Sequence, residues 1–161
     1  MLRVDAQYVI NTLRDLVRIN SINPSLDESG AGEQEIVQYI AGRMRDLALD
    51  IDMYEPVPGR PSVVATLSGT GNGRSLALNA HVDTVQVTGM PDPFSGAIRD
   101  GKLYGRGSFD MKGSLAACMG AMKALRDAGG SMRGHVELHA VADEEHSSLG
   151  TFEVLKHRTT D

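Results

Sequence analysis

Three stretches of the chain combine ionisable side chains with strand ends or glycine-rich turns. The first is NAHVDTV, residues 79 to 85. His81 and Asp83 stand two apart at the end of a strand-like run, so their side chains leave on one face. That suits a metal-binding imidazole with a carboxylate beside it. The second is YGRGSFDMKGS, residues 104 to 114, where Asp110 precedes a helical run. The third is HAVADEEHSSLGT, residues 139 to 151, where Asp143, Glu144 and Glu145 follow an apolar run. Each has a plainer reading when taken alone. A single His-x-Asp is ordinarily a surface pair, a lone Asp before a helix an N-cap, and an acid cluster after a strand a solvated turn. Their order and context strengthen the chemical reading, because α/β proteins place sites at strand ends and helix starts.

Electrostatics says what convergence would demand. Asp83, Asp110, Glu144 and Glu145 in one cleft would bring four like charges together. Two such charges ~4 Å apart repel by about 1 kcal/mol in water and by several times more where partly desolvated. Either carboxylates protonate or cations bind. Arg106 and Lys112 are near in sequence but too few to balance the acids. One histidine with several carboxylates suits a divalent metal of the zinc type, including a pair of ions bridged by one carboxylate. A spare carboxylate beside such ions would serve as general base for water.

The elements that must position these residues can be read from periodicity. Residues 5 to 19 read as a helix with Asp5 as N-cap and Val9, Leu13, Leu16 and Val17 at helical spacing. SINPSLDESGAG, 21 to 32, is a loop by composition. Residues 33 to 48 form a second amphipathic helix, with Ile36, Val37, Ile40, Met44 and Leu47 on one face. A short strand is expected at 50 to 54, then a turn marked by Pro56, Pro58 and Pro61. VVATL (63 to 67) and SLALNAHV (75 to 82) read as a pair of strands joined by GTGNG. AIRDGKLYG suggests a hairpin turning at Asp100-Gly101. Met111 to Ala128 reads as a helix whose small residues Ala116, Ala117, Gly120, Ala121 and Ala124 permit close packing on a sheet, with Gly129-Gly130 as its stop. HVELHAVA, 135 to 142, alternates as a strand, with His135, Glu137 and His139 on its polar face, and a last helix runs from about Leu149 to His157. This order indicates an α/β fold, a mixed sheet flanked by helices.

Bulk properties narrow the function classes. At 161 residues one domain is expected. Hydrophobic content is 41% and charged content 23%, ordinary for a globular protein. The net charge of -5, with no basic run, argues against nucleic acid as a partner. No apolar stretch is long enough to span a bilayer, so no membrane partner is expected. The opening MLRVDAQYVI turns polar too soon for a signal peptide. The single Cys118 excludes an internal disulfide and fits a reducing, cytoplasmic location.

HVDTV, then GRGSFDMKGS, then ADEE followed by SLGT, with DPFSGAIRDGKLYGRG linking the first two, carry a family pattern across roughly residues 8 to 158. They resemble the zinc-dependent amidohydrolases and peptidases that include acetylornithine deacetylase, succinyl-diaminopimelate desuccinylase, aminoacylase and carboxypeptidase G. The resemblance implies two Zn2+ ions, with Co2+ or Mn2+ as alternatives. It implies that His81 and Asp110 hold one ion, that Asp110 and Glu145 hold the other, and that Asp110 bridges them. By the same resemblance, Asp83 orients His81, Glu144 is general base and then general acid, Asp143 is scaffold, and the Asp110–Met111 bond is cis. The implied reaction is hydrolysis of the amide bond of an N-acyl amino acid, as in a deacetylase or desuccinylase. The alternatives are a dipeptidase or carboxypeptidase-like peptidase acting on a short peptide, and a non-catalytic fragment.

The family pattern asks for more ligands than these. It expects a Glu in an E-P-T or E-P-S motif shortly after residue 161 and a histidine near the end of the full-length protein. His146 and His157 match neither setting. Residues 1 to 161 are therefore expected to be the N-terminal part of a catalytic domain, without the lid or dimerisation domain and the C-terminal part. The resemblance is compatible with a full-length homodimer.

Overall fold

The computed structural model describes residues 2–129, 132–158 and 160. The elements are α1 (Ala6–Arg18), α2 (Gln34–Asp46), β1 (Asp50–Tyr54), β2 (Ser62–Leu67), β3 (Leu76–His81), β4 (Ala97–Arg99), β5 (Lys102–Tyr104), α3 (Lys112–Asp127), β6 (Val136–Val141) and α4 (Leu149–His157). The Asp5 side chain caps α1 by accepting the Tyr8 N–H at 3.0 Å. The expected apolar stripe of α2 is buried through Ile36, Val37, Ile40 and Met44. Asp100 and Gly101, both at positive φ, turn the β4–β5 hairpin. Gly129, at φ 89°, follows the end of α3, and its expected partner Gly130 lies outside the described residues.

Four strands form one mixed sheet in the order β1-β2-β6-β3. β1 and β2 pair antiparallel, β2 and β6 pair antiparallel, and β3 and β6 pair parallel. The α/β expectation, a mixed sheet with helices against it, is met. The two strands joined by GTGNG both form, but they are not neighbours: β6 lies between them. The joining loop instead hydrogen-bonds to the segment leading into β6. The Thr70 N–H donates to Met132 O at 2.8 Å, and the Gly71 N–H to Arg133 O at 3.0 Å. Glycine makes that approach feasible, because a Cβ on Gly69 would sit 1.8 Å from the Gly134 carbonyl oxygen.

Alternation splits the sheet's side chains between two faces. Val63, Ala65, Leu138 and Ala140 face a core filled by Leu16, Ile36, Ile40, Met44, Leu115 and Met119 from the first three helices. Val64 and Val141 face the other way and meet Val154 of α4. β6 is therefore buried along its whole length. Its polar residues Glu137 and His139 are buried too, paired at 2.7 Å. The small-residue face of α3 is partly reassigned: a Cβ on Gly120 would meet Val9 of α1 at 2.4 Å, so Gly120 admits a helix rather than the sheet.

Leu138 is fully buried in the central strand and Ile98 is 49% exposed on the hairpin. Leu138→Ala is expected to cost about 2–5 kcal/mol, against about 0.5 kcal/mol or less for Ile98→Ala. Hydrogen exchange at β6 reads the difference. Equal losses would remove Leu138 from the core.

Candidate metal centre

The sheet brings two of the three motifs together. β3 and β6 run parallel with His81 opposite Val141, so the segments after both strands emerge side by side. The Val82 N–H donates to Val141 O at 2.9 Å and extends the pairing beyond the strands. The loop after α1 lines the other side of 82–84. The Thr84 N–H donates to Ser21 O at 3.0 Å, and the Asn23 N–H to Thr84 O at 2.9 Å. The third motif arrives from the segment before α3. Asp110 is not a cap: Met111 holds the N-cap position, with no side-chain bond. The Asp110 carboxylate instead lies 3.2 Å from His81 Nε2. The Asp110–Met111 peptide bond is cis.

His81, Asp110 and Glu145 each offer one ligand atom, and these atoms all lie within 4.8 Å of one another. Donors on a tetrahedral zinc ion stand roughly 3.3 Å apart, given bonds of about 2.0–2.1 Å. The 3.2 Å between His81 Nε2 and Asp110 Oδ1 meets that spacing. A nitrogen and two carboxylate oxygens are also a donor set that zinc and similar divalent ions accept. Glu144 Oε2 lies 3.6 Å from the same His81 nitrogen. The cleft above has a volume of about 580 Å³ and is lined by His81, Phe109, Asp110, Met111 and Glu144 among others. Asp110 and Glu144 are open to it, their side chains 72% and 50% exposed.

Asp83 is buried behind these groups. His81 Nδ1 lies 3.0 Å from the backbone oxygen of Asp83 and 3.6 Å from its carboxylate. The carbonyl is thus at hydrogen-bond distance and the carboxylate is not. The carboxylate accepts elsewhere: from the Glu144 N–H at 3.0 Å, the Glu145 N–H at 3.1 Å and Asn23 Nδ2 at 2.7 Å. One side chain therefore fastens the histidine segment to the acidic turn.

Burial alone would lower the His81 pKa, but Asp83, Asp110 and Glu144 outweigh it and pull it up to about 9. Burial would raise Asp83, yet its hydrogen-bond partners hold it below the ordinary carboxylate range. Glu145 is pushed up by burial and by the neighbouring acids, with His81 opposing. Lys112 gives no relief. Its amine is buried, donates to Ile19 O at 2.8 Å and is brought down to about 7 by burial.

Three residues here were not singled out by sequence reasoning. Arg60 meets Glu33 at 2.6 Å and Asp143 at 2.8 Å, and donates to Asn23 Oδ1 at 3.0 Å. The prolines around Arg60 read only as turn signals, Asn23 as part of a loop, and Glu33 as the start of a helix. Asp143, read as scaffold, is fully buried in this network. His146 and His157 are half exposed.

The fold and site together define an α/β domain with a candidate divalent-metal centre at the ends of two parallel strands. Residues 77–161, more than half of the chain, match peptidase family M20/M25/M40, and the chain belongs to that family. An N-formyl-4-amino-5-aminomethyl-2-methylpyrimidine deformylase of Bacillus subtilis is 38% identical over 127 residues, covering 75% of this chain and 30% of the relative. A succinyl-diaminopimelate desuccinylase of Gluconacetobacter diazotrophicus is 36% identical over 150 residues, covering 89% of this chain and 37% of the relative. The crystal structure of human carnosine dipeptidase 1 superposes with a TM-score of 0.75 at 22% identity, over 93% of this chain and 35% of that one. The chain thus spans about a third of the length of the curated relatives it matches. These relatives are hydrolases. Among the described residues no helix is long and apolar enough to cross a membrane.

In the metal-free protein His81 is expected to titrate near pH 9, above its ordinary 6.5. Its stabilising contribution is then fully present below pH 6.5 and is lost as pH rises through about 9. A cation must displace this proton, so metal uptake near pH 7.5 should release about one proton. NMR titration of the imidazole checks the value, and Asp110→Asn should lower it. An unshifted His81 would contradict the clustering.

Proposed function

We propose that the complete protein is a metal-dependent amidohydrolase that cleaves the amide bond of small N-acyl amino acids or related N-acyl amines. The carrying observation is the gathering of His81, Asp110 and Glu145 within 4.8 Å, with Glu144 beside them in an open cleft. The deformylase and desuccinylase names of two relatives support an acyl group on nitrogen as the substrate feature. In this reading residues 1–161 are the N-terminal part of the catalytic domain, and further ligands come from elsewhere in the full-length protein.

His81 and Asp110 would hold one divalent ion and Asp110 and Glu145 a second, with Zn2+ as the first choice. Bound there, such ions supply acidified water and carbonyl polarisation. The chain's own residues do the rest. Asp110, exposed and within reach of both His81 and Glu145, is the carboxylate that would be shared between the ions. His81 presents Nε2 to the cleft because Nδ1 is engaged by the Asp83 carbonyl at 3.0 Å. Asp83 keeps the backbone of Glu144 and Glu145 in place through two accepted N–H bonds. The Glu144 carboxylate takes a proton from water as the oxygen bonds to the carbonyl carbon. It returns that proton to nitrogen as the carbon–nitrogen bond breaks, leaving a carboxylic acid and an amine.

Glu144→Gln in the full-length protein should leave metal stoichiometry unchanged and lower kcat by about 10²–10⁴-fold. The assay panel should contain N-acetylornithine, N-succinyl-diaminopimelate, an N-formyl aminomethylpyrimidine and simple dipeptides. Full turnover with full metal occupancy would remove Glu144 from proton transfer. Cleavage of dipeptides alone would move the assignment to a peptidase. A metal-loaded wild type inert to the whole panel would overturn the amidohydrolase reading.

A further inference from the structure

We infer that Arg60 and Asn23 are positioning residues for the acidic turn, fixing where Glu144 and Glu145 stand relative to His81. The inference deepens the amidohydrolase reading and rests on it only for its kinetic readout.

The turn leaves β6 through Asp143, a non-glycine residue at φ 68°. Its carbonyl accepts the N–H groups of Ser147 and Ser148 at 3.0 and 2.5 Å. Its carboxylate accepts from Arg60 at 2.8 Å, from Asn23 at 3.1 Å and from the Ser147 hydroxyl. Asp143 thus stands at the head of the turn, and its side chain is held from behind by a guanidinium.

Arg60 already has a complete partner in Glu33, to which it donates through Nε at 2.6 Å and a terminal nitrogen at 2.7 Å. A two-donor pair of this kind satisfies a buried guanidinium's charge. The remaining bonds do something else. They run to Asn23 Oδ1, Ser25 Oγ and Asp143, towards the metal centre. Asn23 then has only one acceptable amide orientation. Its oxygen must face Arg60, and its nitrogen must face Asp83 at 2.7 Å and Asp143 at 3.1 Å. The reverse orientation would set an NH2 against a guanidinium and an oxygen against two carboxylates.

Two routes therefore lead from Arg60 to the working acids. One passes through Asp143, next in the chain to Glu144. The other passes through Asn23 to Asp83, which holds the Glu144 and Glu145 N–H groups at 3.0 and 3.1 Å. Arg60 is 8% exposed, and Asn23, Glu33, Asp83 and Asp143 are 1% or less, so water does not loosen either route. Arg60 and Asn23 act through Asp83 and Asp143 and bond to none of His81, Asp110, Glu144 or Glu145 through their side chains.

The test uses the full-length protein with Arg60→Lys, which keeps the charge and loses the fork, and Asn23→Ala. Glu33→Gln serves as a control that leaves the bonds from Arg60 to Asn23 and Asp143. In the metal-free state both test variants should speed amide exchange at residues 143–148 while β2 and β6 keep their protection. Affinity for Zn2+ alone should fall about 10–100-fold, and kcat should fall by more than KM changes. Glu33→Gln should shift these readouts less than either test variant. Unchanged exchange and unchanged Zn2+ affinity in both variants would overturn the inference. So would exchange that rises equally across the whole domain, because the network would then be only structural. Should Arg60→Lys not fold, Asn23→Ala decides alone. A wild type that hydrolyses no amide overturns the amidohydrolase reading, while the exchange and Zn2+ readouts still decide this one.

Discussion

The Asp83 carboxylate ties the end of one strand to an acidic turn that begins 61 residues further along the chain, at Glu144. It accepts the N–H groups of Glu144 and Glu145 and the amide of Asn23 while its own backbone oxygen meets His81. Bonds from N–H donors to an ionised acceptor are stronger than neutral ones. In a buried setting they also cost the most if any partner is lost. His81, Glu144 and Glu145 are thereby fixed relative to one another. Asp110 is the exception. It comes from the segment before α3, its side chain is 72% exposed, and no strand carries it. The centre has a rigid half built on the sheet and a more open half built on a loop.

The charge balance follows the same division. Behind the centre, Arg60 stands between Glu33 and Asp143; against the opposing effect of burial, hydrogen bonds from the Ser147 hydroxyl, Asn23 and Arg60 hold Asp143 below the ordinary carboxylate range. In front, Asp110 and Glu144 face a cleft with Glu145 close to Asp110, and the nearest lysine in sequence, Lys112, donates its amine to Ile19 O. The back of the site shares one guanidinium among its carboxylates, and the front is left with excess negative charge. Such a field draws cations inward. Asp83, Asp110 and Glu144 pull the His81 pKa up to about 9 against the opposing effect of burial. The proton and a metal ion would satisfy the same carboxylates.

Much of this arrangement is legible in the chain before folding. The elements follow local rules: Asp5 as a cap, the stripe Ile36, Val37, Ile40 and Met44, and the Asp100-Gly101 turn. His81, Asp110 and Glu145 stand out because ionisable residues at strand ends and beside glycines are chemically unusual, and the motifs resemble a known family. Arg60, Asn23 and Glu33 do not stand out. Each lies in a segment whose local reading is complete without chemistry: a proline turn, a polar loop and a helix start. Their role exists only through contacts 27, 60 and 83 residues away, to which no local pattern points. The two positions of Asp83, backbone to His81 and carboxylate to the turn, are likewise invisible to a spacing rule that sees only residue type.

Strand order is the step that local pattern left open, and the centre depends on it. A β2–β3 hairpin across GTGNG would have satisfied the same alternation and the same turn residues. It would also have set His81 beside β2, with β6 elsewhere. Inserting β6 between them places β3 parallel to β6, so that both strands deliver their C-terminal residues to one edge. Adjacent strands lie about 4.8 Å apart. That spacing is what allows a side chain at position 83 to reach the backbone at 144 and 145. The insertion in turn requires loop 68–75 to cross against the start of β6, where Gly69 and Gly134 remove the Cβ atoms that would collide. Two glycines far from the acids therefore help to make the metal centre possible, by permitting the strand order that builds it.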